Sequence, residues 1–240
     1  MSELLTPKQV ARAIGVSDAS LKRWCDKGLL PAERTAGGHR RLPLSGVLQF
    51  LRESGRPLVA PDVLGLPPTI GTGEAVVERV RRQMVEALAA GQDERFRGLA
   101  LGLFLAGHRA GDICDLAIGP AFTELGSRWE HGELAVYQER RGVEIVLRLL
   151  HELRKALTAP AADAPLAVGG TLAGDPYTVP NAMVELALRE AGWRAESCGA
   201  GLPVETFAAA IRDLRPRLAP KVPLLPSRAP SLPPTRRSAT

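Results

Sequence analysis

Two short stretches near the start of this 240-residue chain carry side chains that could act on a polyanion. Ser17, Ser20, Lys22, Arg23 and Trp24 form the first, and His39, Arg40 and Arg41 form the second. Ammonium, guanidinium and hydroxyl groups so spaced can hydrogen-bond phosphate oxygens and the edges of bases. From Met1 to Pro61 ten Lys and Arg stand against five Asp and Glu, a net +5 that equals the formal charge of the whole chain. A cationic end on a balanced remainder predicts a polyanionic partner for that end. Taken singly, each cation also reads as solvated surface, Trp24 as core packing and His39 as support for a hairpin. Agreement between charge and the elements described below favours binding for the set.

Chemistry of other kinds finds little material. Cys25, Cys114 and Cys198 are too far apart for a zinc site, and their odd number argues against a disulfide framework. No nucleophile–base pair, metal cluster or phosphate loop stands out, so the chain is expected to be no enzyme and to hold no metal. No apolar run has the length of a signal peptide or a membrane span. The expectation is a cytoplasmic protein without a membrane partner.

Several elements must position these groups. Thr6-Pro7-Lys8-Gln9 has the order of an N-cap, a first-turn proline and a capping-box partner. Val10, Ala13 and Ile14 then share a face, and Gly15 closes the helix. A second helix starts at Ser17, spaces Leu21 and Trp24 inward, and stops at Gly28. Helix, tight turn and helix predict a helix-turn-helix, with the second helix in the major groove. Gly37-Gly38 predicts a hairpin, or wing, that offers His39, Arg40 and Arg41. On this reading Ser20, Lys22 and Arg23 face the groove, whereas Ser17, Arg40 and Arg41 contact phosphate. Trp24 serves both the core and a phosphate-facing edge. Pro43 to Ser54 resumes helical spacing, and residues 57–73 read as a Pro/Gly-rich linker.

Residues 74–158 are helical in pattern. Val76, Val80, Met84 and Leu88 line one face, as do Val146, Leu149, Leu153 and Leu157 later. Breaks near Gly91, Gly107 and Gly132 divide the stretch into a four-helix bundle. Residues 166–217 alternate strand and helix twice, which predicts a parallel α/β segment. From about 218 to 240 the chain is Pro-rich without acids and is expected to be disordered. The abrupt change near Arg217 is also what an out-of-frame ending would produce. The predicted fold class is mainly α: a winged helix-turn-helix, a four-helix bundle, then a partial flavodoxin-like α/β segment and a disordered tail.

The N-terminal text LTPKQVARAIGVSDASLKRWCDKGLLPAERTAGGHRRL resembles the DNA-binding domain of MerR-type transcription regulators. Ser20 stands where that family has Thr, and Leu42 where it has an aromatic. The resemblance implies a dimer, or another homo-oligomer, on double-stranded operator DNA with a near-palindromic sequence.

The rest resembles cobalamin-binding, light-sensing repressors. Their helical cap carries Trp, nine residues, then Glu-His; here Trp129 and Glu139 match, but Arg140 replaces the histidine. Their cobalamin domain carries D-x-H-x-x-G, and the aligned residues run from Asp175 to Pro180. Tyr177 replaces the cobalt-ligating histidine and Pro180 the glycine. A phenol near its usual pKa is a poor neutral donor for cobalt, and proline restricts a position of close approach. The expected outcome is a regulator without cofactor, in which Trp129, Glu139, Asp175 and Tyr177 are vestigial or weak cobalamin contacts. Three alternatives stay open: a cobalamin-dependent, light- or effector-responsive repressor, another small effector in the cap, or Trp129 as plain core.

Overall fold

The computed structural model describes residues 4–66, 71, 73–175 and 177–219. At the N-terminus β1 (Leu4–Leu5), α1 (Pro7–Ile14), α2 (Asp18–Asp26), β2 (Glu33–Arg34), β3 (Arg40–Pro43) and α3 (Leu44–Ser54) form a winged helix-turn-helix. The expected capping box is made: Thr6 Oγ1 accepts the Gln9 N–H at 3.2 Å, and Gln9 Oε1 accepts the Thr6 N–H at 2.8 Å. Gly15, at φ 72°, turns the chain toward Ser17, whose hydroxyl accepts the Ser20 N–H at 3.2 Å. These local bonds satisfy helix-end amides that would otherwise lack partners. The three strands pair antiparallel in the order β1-β3-β2. Leu42 pairs with Leu5 and is fully buried, so the residue after the wing arginines serves the core.

The stretch expected to be a linker is docked over part of its length. Pro61–Leu64 forms a 3-10 turn, Leu64 and Leu66 are buried, and the Val59 and Ala60 amides donate to Ala13 O at 2.8 and 3.1 Å. Its proline and glycine content broke the periodicity that would have announced this, while its apolar side chains still found α1.

Four helical rods follow: α4 (Glu74–Ala90), α5 (Asp93–Leu105), a third rod, and α8 (Val136–Ala156). The third comprises α6 (Ala110–Ile113), a π-helical turn (Cys114–Ile118) and α7 (Gly119–Glu130). Gly91, Gly107 and Gly132 all take positive φ at the breaks. Val80, Met84 and Leu88 meet Val146, Leu149 and Leu153 in the bundle core. Arg97 of α5 bonds both oxygens of Glu152 on α8, at 2.7 and 2.8 Å.

Beyond the bundle, β4 (Leu166–Gly169) and β5 (Arg194–Ser197) pair in parallel, with α9 (Thr178–Glu190) between them in sequence and α10 (Val204–Leu214) after. The expected two strands are observed. Beyond them Leu218 bridges Ala167 of β4, and its carbonyl accepts the Val168 N–H at 3.0 Å. Leu218 was assigned to the disordered tail; residues 220–240 of that tail lie outside the described residues. One continuous apolar core runs from Leu5 through the bundle to Val179 and Leu186 of α9. Ala167, Val168, Ala195 and Phe207 are buried outside it, and α9 packs against both the bundle and the β4-β5 sheet.

Candidate nucleic-acid interface and sensor cavity

In α2, Leu21 is buried and Trp24 half-buried, which turns Lys22 and Arg23 to solvent. Trp24 stacks at 5.1 Å against Phe50 of α3, and the Arg56 guanidinium lies 4.6 Å over its ring. Its described contacts are those of core packing. Ser20 also engages Ser17, Oγ to Oγ at 3.0 Å, so the two hydroxyls form one unit at the N-terminus of α2.

The wing is a tight turn in which Gly38 takes φ 77° and the Thr35 amide donates to His39 O at 2.9 Å. His39 is exposed at its base, with its amide bonded to Thr35 Oγ1 at 3.2 Å. Arg40 differs from the expectation of a free phosphate ligand. Its Nη2 bonds Asp26 Oδ1 at 2.5 Å and its Nη1 reaches Lys22 O at 3.4 Å, which ties the wing to the end of α2. The hydrogen bond it donates to Asp26 holds its guanidinium pKa above the ordinary value. Arg41, half-buried on β3, makes only a long 3.5 Å bond to Arg40 O. A shallow groove of about 540 Å³ between α1, α2 and the wing is lined by Lys8, Lys22, Arg34 and Arg40, with Asp18 the acid among them. Lys8 and Arg34 entered the charge count of the sequence but were not selected, because their nearness to α2 exists only after folding.

The second site lies between the bundle and α9. A cavity of about 860 Å³ brings together Trp129 of α7, Glu139 of α8 and Tyr177 just ahead of α9. Phe122, Val136, Val143, Met183 and Val184 add apolar walls, and Arg140 stands beside Glu139 at 3.5 Å. Trp129 is 45% exposed, so it is a wall residue and not plain core. Asp175 is not brought in; its carboxylate accepts the Tyr177 N–H at 2.9 Å and shapes the turn before α9. Cys114 is also on the wall, where burial, then the Asp115 and Glu190 carboxylates, push its thiol up to about 12. A thiol held so firmly protonated is no nucleophile.

Cobalamin is the group that this arrangement must be tested against. On the cap side Trp129 and Glu139 suit the upper face of a large flat ring. On the opposite side the donor set does not fit: Tyr177 is 72% exposed and offers a phenol oxygen in place of an imidazole nitrogen, and Pro180 occupies the first turn of α9.

Comparison with known proteins matches two segments of the chain. Residues 4–55 match a helix-turn-helix domain family, and residues 80–154 match a B12 binding domain family. No curated protein matches the chain. Among solved structures it is similar to a monomethylamine corrinoid protein of Methanosarcina barkeri, at 17% identity and TM-score 0.49, over 57% of this chain and 65% of that one. A cobalamin-binding protein of Desulfitobacterium hafniense DCB-2 matches at 17% identity and TM-score 0.32, over 58% and 66%. A methanol:cobalamin methyltransferase complex of Methanosarcina barkeri matches at 16% identity and TM-score 0.36, over 70% and 66%. The chain thus spans just under two thirds of the length of each. It carries a helix-turn-helix DNA-binding domain joined to a domain of the B12-binding type. Among the described residues no helix is long and apolar enough to cross a membrane.

Proposed function

We propose that this chain is a MerR-type transcription regulator that binds double-stranded operator DNA in the cytoplasm as a homo-oligomer, and whose sensor region no longer holds cobalamin. The exposure of Lys22 and Arg23 on α2, beside a wing braced by Arg40, carries the first part. In this reading α2 enters the major groove, Ser20, Lys22 and Arg23 meet base edges, and Arg41, Lys8 and Arg34 flank them at phosphates. Arg40 both braces the wing and faces the groove. Oligomerisation and a palindromic operator follow from the resemblance to MerR-type proteins. The phenol of Tyr177 at the cobalt-facing position supports the second part, because a regulator that loads no corrinoid must respond to something else or to nothing.

A second reading, a cobalamin-dependent repressor, draws on Trp129 and Glu139 sharing one cavity wall. Both readings meet the same test. Full-length protein incubated with adenosylcobalamin in the dark and gel-filtered should elute without a corrin band; a stoichiometric band would establish the second reading. Duplexes selected from a randomised pool should bind with log K falling against log salt at a slope of about −3 or steeper, since each neutralised phosphate contributes about −0.9. Salt-independent attachment, or none, would refute the DNA-binding role.

A further inference from the structure

Three parts of the chain meet at one pair of side chains. Arg52, on α3 of the DNA-reading head, donates through Nη1 to Phe104 O at 3.1 Å and His108 O at 2.7 Å, at the end of α5. Its Nη2 donates to Glu190 Oε1 at 3.0 Å, and its guanidinium lies 4.3 Å over the Phe104 ring. Glu190 is the last residue of α9, and its side chain is 10% exposed. The same carboxylate accepts the Ala110 N–H at 2.8 Å and the Gly111 N–H at 3.2 Å, the first amides of α6. A single carboxylate therefore joins the head, the bundle and the α/β segment.

Both elements that end on Glu190 also line the cavity. From α9 come Thr178, Met183 and Val184, and from the third rod Gly111, Cys114 and Gly119. The two run in close contact. A Cβ on Gly111 would lie 3.5 Å from Ala187 Cβ, and one on Gly119 would lie 3.7 Å from Met183 Cε. Those are ordinary contact distances for a methyl group, so each glycine leaves room for one on the side of α9, and α9 reaches the third rod through Ala187, Met183 and the Glu190 carboxylate. Two properties make the junction a latch. Losing Arg52 leaves Glu190 with the more exposed Arg109, 3.8 Å away, as its remaining cation among the described residues, and losing Glu190 leaves Arg52 with two carbonyls and the Phe104 ring, so either loss weakens the junction. His108 Nε2 is buried beside it without a hydrogen-bond partner, which lowers the cost of opening.

We propose that Arg52 and Glu190 are positioning residues that latch the DNA-reading head to the sensor, and that α9 and the third rod carry filling of the cavity to that latch. The proposal rests on the reading of the cavity as a sensor site given above. α2 and the wing lie away from the latch, so what it controls is the orientation of the head on the bundle. In an oligomer that orientation sets the separation of two recognition helices.

Hydrogen exchange on the full-length protein tests this without DNA or ligand. Four variants are compared: Arg52→Met, Arg52→Lys, Glu190→Gln and Gly126→Trp. Gly126 lines the cavity from α7, and a Cβ there meets nothing within 4 Å, so tryptophan can fill the space opposite α9. Arg52→Met should speed exchange in residues 44–54 by about tenfold, with less than about twofold change in α1 and α2. Glu190→Gln should do the same and also expose the Ala110 and Gly111 amides, and Arg52→Lys should fall between. Gly126→Trp should speed both segments while leaving the latch residues in place. Unchanged exchange in residues 44–54 of Arg52→Met would overturn the latch. A uniform rise over every helix would reduce the pair to ordinary stabilisation, which also overturns it. Slow exchange at both segments in Gly126→Trp would overturn transmission from the cavity. If the predicted pattern appears in a protein that binds no duplex, the latch stands and the DNA-binding role falls.

Discussion

Arg40 illustrates how a neighbour redefines a side chain. As a wing arginine it is expected to grip phosphate, but Asp26 holds it and the Lys22 carbonyl steadies it. Arg23 is exposed on α2 and free to meet a base or a phosphate. Arg23→Ala should therefore weaken duplex binding by about 1–3 kcal/mol. Asp26→Asn should leave the fold intact and strengthen binding slightly, because it removes a carboxylate near the phosphates and releases Arg40. Equal affinities of both variants and wild type, measured by fluorescence anisotropy at one salt concentration, would contradict these roles. Cys114 yields a pH prediction. Its folded pKa, pushed up to about 12 by burial, exceeds the ordinary 9.0, so the folded state holds the proton more tightly. The stability contributed by burying the thiol is complete below about pH 9 and is lost as pH rises from there toward 12. Cys114→Ala lacks that loss. Its deficit against wild type at pH 7 should shrink by about 1.4 kcal/mol for each pH unit above 9, as read from urea unfolding.

Helix α3 connects the reading helix to the sensor, and it does so with little room to spare. Gly46 faces the Pro31 ring so closely that a Cβ there would collide with it. Alanine is the better helix former by about 1 kcal/mol, and in a free helix Gly46→Ala would stabilise. Against a ring tied into the backbone the methyl group overpacks, and the net effect should be a loss of about 1–3 kcal/mol. A thermal midpoint above that of wild type would show that Pro31 yields. Helices α1 and α2, by contrast, were legible from short-range chemistry. Thr6 with Gln9, Ser17 with the Ser20 amide, and the glycines at 15 and 28 act within a few residues, so their order along the chain is their geometry. The π-helical turn at Cys114–Ile118 had no such signature. Its widened turn brings Cys114 and Asp115 onto the cavity wall and packs against α4, a placement that only the tertiary contacts decide.

Across the molecule, one apolar core unites the head, the bundle and α9, whereas the buried residues of the two-stranded sheet lie outside it. The alternation of strand and helix places α9 on the sheet, where it packs, but did not show its second face: Val179 and Leu186 join the bundle core, and its last residue reaches the head. Helix content, cap positions, the wing and the parallel pairing of β4 with β5 could be read from the chain alone, because each depends on spacing of 2 or 3.6 residues or on a local backbone requirement. That Tyr177 stands where the resemblance to cobalamin-binding repressors expects a histidine was equally legible, since the identity of a donor atom does not depend on folding. Folding alone brought Trp129, Glu139 and Tyr177 to one cavity, tied Arg40 to Asp26, and set Arg52 against Glu190 across 138 positions of chain. Such pairs arise when helices pack at angles and separations that every side chain in the core decides together, so no window of sequence contains them.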